Sequence, residues 1–176
     1  AELQPPVPLP GHSIAQKSRL VKKAAAHGKS ICQPVADLMF RAVYGMLQRS
    51  PTERNEGRMN LQIERLELGP WPMNCYLVRC PASGKVALVD PGADPETILH
   101  AVDVNLVCCI LLTHGHPDHV GALEAVRQAT GVPVGIHPAD AEEFGLDADF
   151  PLLDGSEIEV GQGRVGVVHV PGHTPG

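Results

Sequence analysis

From residue 59 onward, apolar and polar positions fall into short runs whose period switches between two and about 3.6. Residues 61–66, Leu-Gln-Ile-Glu-Arg-Leu, nearly alternate and predict a strand. Gly69-Pro70-Trp71-Pro72 is a turn, and Asn74-Cys75-Tyr76-Leu77-Val78 a second strand. Pro81-Ala82-Ser83-Gly84 turns the chain into a third strand over 85–89, which ends at Asp90-Pro91-Gly92. Strands joined by such short turns predict an antiparallel start. A short helix over 95–102 follows, with Asp94 as its cap and Pro95 at the first helical position. The apolar run 106–112 predicts a buried strand. Residues 118–129 predict a helix with Val120, Leu123 and Val126 on one face, ended by Gly131. A strand over 132–136, a short helix over 138–144 and a loop over 152–155 come next. Residues 157–160 and 164–170 read as a hairpin across Gly161-Gln162-Gly163. This order predicts an α/β (layered α+β) domain with helices covering sheet.

The first 58 residues are of another kind. Residues 1–13 carry four prolines and read as an extended leader. Residues 14–29 are basic and read as a basic helix or a solvated segment. Ile31, Val35, Leu38, Met39, Ala42, Val43, Met46 and Leu47 recur at helical spacing, predicting a helix over 31–47 whose stripe packs on the domain or a partner. Residues 50–58 read as a polar linker. Charge marks the same boundary: 1–58 hold nine Lys/Arg against four Asp/Glu, whereas 59–176 hold five against sixteen. The division is therefore an N-terminal extension, 1–58, and a domain, 59–176, with Met59 as a candidate true start. The acidic domain does not suit a nucleic-acid surface. No apolar run spans a membrane, and the N-terminus shows no secretory h-region. Five cysteines without C-x-x-C spacing fit a reducing, cytoplasmic setting.

The chemistry concentrates at Thr113-His114-Gly115-His116-Pro117-Asp118-His119-Val120-Gly121. A buried strand that stops at a polar cluster delivers a site at its end. In extended backbone His114 and His116 point to the same side, and Gly115 between them permits a tight turn. Three imidazoles and a carboxylate suit zinc or a similar first-row metal. His137 and His169 read as structural, and His12, His27 and His100 belong to no constellation. Gly161-Gln162-Gly163 lacks the helix and third glycine of a phosphate loop. No Ser or Cys nucleophile is evident, since the candidate thiols sit in strands.

Together with Asn74-Cys75-Tyr76-Leu77-Val78, Val89-Asp90-Pro91-Gly92 and Pro171-Gly172-His173-Thr174-Pro175-Gly176, the cluster resembles the metallo-β-lactamase fold superfamily. Within it, residues 59–176 look most like glyoxalase II-type (hydroxyacylglutathione hydrolase-like) hydrolases. The resemblance implies an αββα sandwich. It implies that His114, His116 and His173 hold a first metal and that Asp118 and His119 are ligands of a second, with Asp118 at the catalytic centre. Asp90 would orient a ligand from behind. Two Zn2+ per complete domain are implied, with Fe or Mn as other occupants.

The implied chemistry is attack of a metal-bound hydroxide on a thioester such as an acylglutathione, or on a related ester or lactone. The partner is a small-molecule substrate, with neither nucleic acid nor membrane. The family's second half also supplies a bridging aspartate and a final histidine, which do not occur after His173 here. The expectation is thus a C-terminally truncated domain: the first half of the sandwich plus part of the second. Two other readings stay open, a persulfide dioxygenase with a single iron and a non-catalytic remnant.

Overall fold

The structure is a computed structural model, and it describes residues 60–70 and 73–176. The expected leader, basic segment, helix over 31–47 and linker lie outside the described residues, as do Trp71 and Pro72 of the first turn.

Six strands form one sheet in chain order: β1 (Gln62–Leu68), β2 (Met73–Arg79), β3 (Val86–Val89), β4 (Val107–Leu111), β5 (Val134–Ile136) and β6 (Phe150–Pro151). β1 to β3 pair antiparallel, as their short turns predict, and β3 to β6 pair parallel. Parallel neighbours need crossovers. These are α1 (Pro95–Ala101) between β3 and β4, α2 (Pro117–Val120) and α3 (Leu123–Thr130) between β4 and β5, and α4 (Pro138–Phe144) between β5 and β6. β7 (Glu157–Val160) and β8 (Gly163–Gly166) make a separate antiparallel hairpin.

The central strands are apolar on both faces because both faces are covered. On one side Cys75, Leu77, Leu88 and Ile110 pack with Ile98 of α1 and Leu123 and Val126 of α3. On the other, the alternate positions Tyr76, Val78, Ala87, Val89, Cys109 and Leu111 pack with Leu152 and with Val160 of β7. Each large side chain removed from water in this way contributes about 1.5–3 kcal/mol. The arrangement brings the carboxyl ends of β3, β4 and β5 to one edge of the sheet, where an open α/β sheet places its ligands. Asp90, the segment from Leu112 to His116, and His137 follow those ends.

Several local expectations are corrected. Asp94 opens α1, but in left-handed backbone (φ 45°), and its side chain does not cap the helix. Its carboxylate accepts the Gly69 N–H at 2.7 Å, tying the turn after β1 to α1. The helix expected over 118–129 is two helices. Between them the Ala122 N–H donates to the Pro91 carbonyl at 2.9 Å, outside the helix. A 3-10 turn, Val104–Leu106, precedes β4. β5 begins only at Val134, after Pro133, and β6 is too short to show a period. β8 ends at Gly166 rather than continuing to residue 170. Val167 still bonds Gly155 and Ser156, but the His169 N–H goes to the Asp154 side chain.

The break between α2 and α3 is a backbone-on-backbone contact. A Cβ on Gly92 would lie 1.9 Å from the Asp118 carbonyl oxygen, and one on Gly121 would lie 2.3 Å from the Gly92 oxygen. No rotamer change relieves a clash with backbone. Gly92→Ala is therefore expected to destabilise the fold by about 1–3 kcal/mol or more. Gly166→Ala, with nothing within 4 Å of its added Cβ, should be nearly neutral. Urea unfolding midpoints compare them, and equal midpoints would refute the close approach.

Candidate metal centre

The chain leaves β3 through Asp90, a non-glycine residue in left-handed backbone (φ 52°) and only 3% exposed. That conformation costs about 1–2 kcal/mol and is held by what the residue binds. Its N–H donates to the Leu111 carbonyl at 3.0 Å. Oδ1 accepts the Thr113 N–H at 2.7 Å, and Oδ2 accepts the Thr113 hydroxyl at 2.6 Å and the His119 Nδ1–H at 2.9 Å. Asp90 thus joins the end of β3 to the cluster after β4.

These bonds fix two tautomers. A carboxylate only accepts, so His119 carries a proton on Nδ1, and in its neutral form its lone pair is on Nε2. Thr113 spends its single hydroxyl hydrogen on Asp90. It must therefore accept from His114 Nδ1, 3.0 Å away, which leaves the lone pair of His114 on Nε2. Both Nε2 atoms are buried and have no hydrogen-bond partner. The two rings lie against one another, with centroids 4.0 Å apart. Two buried lone pairs without a donor are costly unless something electropositive meets them.

His116 and His173 complete the cluster. His116 Nδ1 and His173 Nε2 are 3.0 Å apart. Two zinc–nitrogen bonds of about 2.0–2.1 Å at a tetrahedral angle would separate their nitrogens by about 3.4 Å, close to that spacing. One nitrogen each from His114, His116 and His173 lies within a 4.8 Å span. Among the described residues this is the one such group of ligand-type side chains. It runs from buried His114 through half-buried His116 to exposed His173, so it opens to solvent on one side. His119 stands beside the group, against His114. Asp118 lies on α2, half-buried and outside that span.

Electrostatics favour the neutral form of His114 and His116 but not of His119. Burial, then the neighbouring His119, pushes His114 down to about 4. Burial and then His173 lower His116 as well. For His119 burial acts downward, but the bond to Asp90 and the charge of Asp90 outweigh it, and the net shift is upward. Cys75, close enough to feel Asp90, is pushed up to about 12 by burial and then by that charge, so it is a thiol and no nucleophile. The donors present, three imidazole nitrogens within one 4.8 Å span and a carboxylate on the adjoining α2, fit a divalent first-row cation.

Four contributors escape sequence reasoning. Thr113 relays Asp90 to His114. Phe144 of α4 covers Gly115, where a Cβ would lie 2.3 Å from its ring, and it meets His116 edge-on at 5.1 Å. Asp140 is fully buried, and Thr174 donates to it at 2.9 Å. A threonine beside His114, another beside His173, and one of the three acids of α4 are the only traces these leave. His137 and His169 are structural: His137 Nδ1 accepts the Ala139 N–H, and the two rings stack 4.3 Å apart. His100 is bonded within α1, to the Glu96 carbonyl.

Fold and site together define a layered α/β protein with a histidine-built divalent-metal site at the ends of its parallel strands. The family model described as the metallo-beta-lactamase superfamily matches residues 68–176, and the chain belongs to that superfamily. Among similar proteins, the hydroxyacylglutathione hydrolase of Anaeromyxobacter dehalogenans is 42% identical over 57% of this chain and 39% of its own length. Hydroxyacylglutathione hydrolase GloC of Haemophilus influenzae is 32% identical over 66% of this chain and 64% of its own. Among solved structures, the B3 metallo-beta-lactamase BLEG-1 is 27% identical with a TM-score of 0.54, covering 65% of this chain and 64% of that one. The chain thus spans less than two thirds of the length of these relatives. No helix among the described residues is long and apolar enough to cross a membrane.

Proposed function

We propose that this protein is a metal-dependent hydrolase of thioesters of the acylglutathione class. The observation that carries the reading is the grouping of His114, His116 and His173 within a 4.8 Å span, beside the buried, unpartnered Nε2 atoms of His114 and His119 that Thr113 and Asp90 orient. His114, His116 and His173 would hold the first ion, and His119 with Asp118 would contribute to a second. Bound zinc would supply an acidified water and a polarised carbonyl. The protein's own part is to keep His114 and His116 neutral, to fix the Nδ1 protons of His114 and His119, and to leave the His173 side open for a substrate.

The relatives named hydroxyacylglutathione hydrolase support the thioester class. The acidic balance of the domain argues for a small molecule over a nucleic acid. The four described cysteines are free thiols, which agrees with a cytoplasmic setting.

The test is thiol release from an acylglutathione by the full-length protein after zinc loading. Turnover should vanish with a chelator and return with zinc. Iron-dependent oxygen uptake with a persulfide, and no thiol release, would replace this reading.

A further inference from the structure

His173 is the exposed member of the cluster, and its segment has no helix or strand. Something must nevertheless set its reach toward His116, 3.0 Å away. Asp140, on the first turns of α4, meets both segments that carry the outer histidines. Its Oδ2 accepts the Gly115 N–H at 3.3 Å and the Thr174 hydroxyl at 2.9 Å. Its Oδ1 accepts the Gly176 N–H at 2.7 Å. Gly115 lies between His114 and His116, and Thr174 directly follows His173. A single oxygen therefore bridges the two halves of the three-histidine group. The rest of α4 reinforces the join: Phe144 packs on Gly115, and His137 stacks on His169, whose Nε2 donates to the Pro175 carbonyl at 3.1 Å.

Asp140 is fully buried. Burying a carboxylate costs several kcal/mol even when it is well bonded, and an apolar side chain would often stabilise the fold as well. Its three donors come from segments 25 to 36 residues away rather than from its own helix. Such a carboxylate is better suited to specifying where loops sit than to adding stability.

We propose that Asp140 is a positioning residue that sets His173 relative to His114 and His116 by clamping the segments on either side of the cluster. The inference rests on the metal-site reading above. It adds a residue that touches no metal and acts only through the backbone and hydroxyl groups beside the ligands.

The test uses the full chain and four single variants, Asp140→Asn, Thr174→Val, Thr174→Ser and His173→Asn, plus the pair Asp140→Asn with His173→Asn. Zinc affinity is measured by chelator competition, the cobalt-substituted protein is followed by its visible spectrum, and unfolding midpoints are recorded. Asp140→Asn replaces one acceptor by a donor, so it should weaken zinc by about 10–100-fold, as loss of an outer partner of a ligand does, and alter the cobalt spectrum. Thr174→Val should weaken zinc in the same direction and Thr174→Ser should restore it. With His173 already replaced, Asp140→Asn should change affinity by less than about twofold, since coupled residues are not additive.

If Asp140→Asn and Thr174→Val lower only the midpoint, with zinc affinity and cobalt spectrum unchanged, the inference fails and the metal site stands. If Asp140→Asn does not fold, the Thr174 pair decides: a Val variant equal to Ser overturns the inference. A wild-type chain that binds no zinc overturns the site reading and this inference with it.

Discussion

His114→Asn is expected to lower zinc affinity by about 100- to 1,000-fold and to abolish any hydrolysis that depends on the ion. Zinc bound to a four-ligand site gains about 10–16 kcal/mol at neutral pH, roughly 2.5–4 kcal/mol per ligand, and each 1.4 kcal/mol is a factor of ten. His114 should lie at the upper end. It is 6% exposed, its Nε2 has no other partner, and its protonation is already fixed by Thr113. His116→Asn should follow in the same direction. His100→Asn is the internal control, because His100 bonds only within α1, to the Glu96 carbonyl. Equilibrium dialysis on folded variants, checked by circular dichroism, measures the effect. Affinity within threefold of wild type for His114→Asn would remove His114 from the ligand set.

Much of this site was legible in the sequence because its signals are local. An apolar run ending at H-x-H-x-D-H needs only strand geometry to bring His114 and His116 together, and their ring centroids are indeed 4.9 Å apart. Asp90 entered the site only through the family resemblance; locally it reads as the first residue of a D-P-G turn, and nothing there showed that it would bond both Thr113 and His119. What was illegible is non-local. Asp140 is recognised by two backbone N–H groups and one hydroxyl, donors that nearly every residue could offer, so no pattern marks its partners. The break between α2 and α3 is set by the approach of Gly92 to Asp118, whereas the local periodicity of 118–129 reads as continuous helix. β6 pairs through only Phe150 and Pro151, too few residues to display alternation. β8 stops at Gly166 although the alternation of Val165, Val167 and His169 carries on, because Asp154 takes the His169 N–H. Periodicity reports which side of an element is apolar. It does not report where a ladder loses its partner.

Asp90→Asn tests whether protonation, rather than packing, is what the buried carboxylate controls. The new amide has one accepting and one donating end, and three neighbours to satisfy. With its oxygen at the position of Oδ2, the Thr113 hydroxyl and His119 keep their bonds. The NH2 group then faces the Thr113 backbone N–H across 2.7 Å, donor against donor. The backbone N–H cannot change character. With its oxygen at the position of Oδ1, that bond is kept, and the NH2 group donates to the Thr113 hydroxyl oxygen and to His119 Nδ1. All three contacts survive provided the imidazoles give way. His119 must then hold its lone pair on Nδ1, and the freed Thr113 hydroxyl donates to His114 Nδ1, 3.0 Å away. Both rings shift their proton to Nε2, the buried atoms without another partner, and both lone pairs are lost to a metal. The expected result is a folded protein with a modest stability loss, about 1–3 kcal/mol, and zinc affinity reduced by about 10–100-fold or more. Imidazole nitrogen chemical shifts of the metal-free protein read the tautomers directly. Wild type should show pyridine-type Nε2 on both rings, and Asp90→Asn should show pyrrole-type. If Nε2 remains pyridine-type in the variant and zinc affinity is unchanged, Asp90 supports the turn after β3 and does not set the ligand protons. A loss of stability without a tautomer change would likewise assign its role to packing. Only the coupled change, protons moved and affinity lost in a chain that still folds, matches a carboxylate that governs the metal centre through two hydrogens.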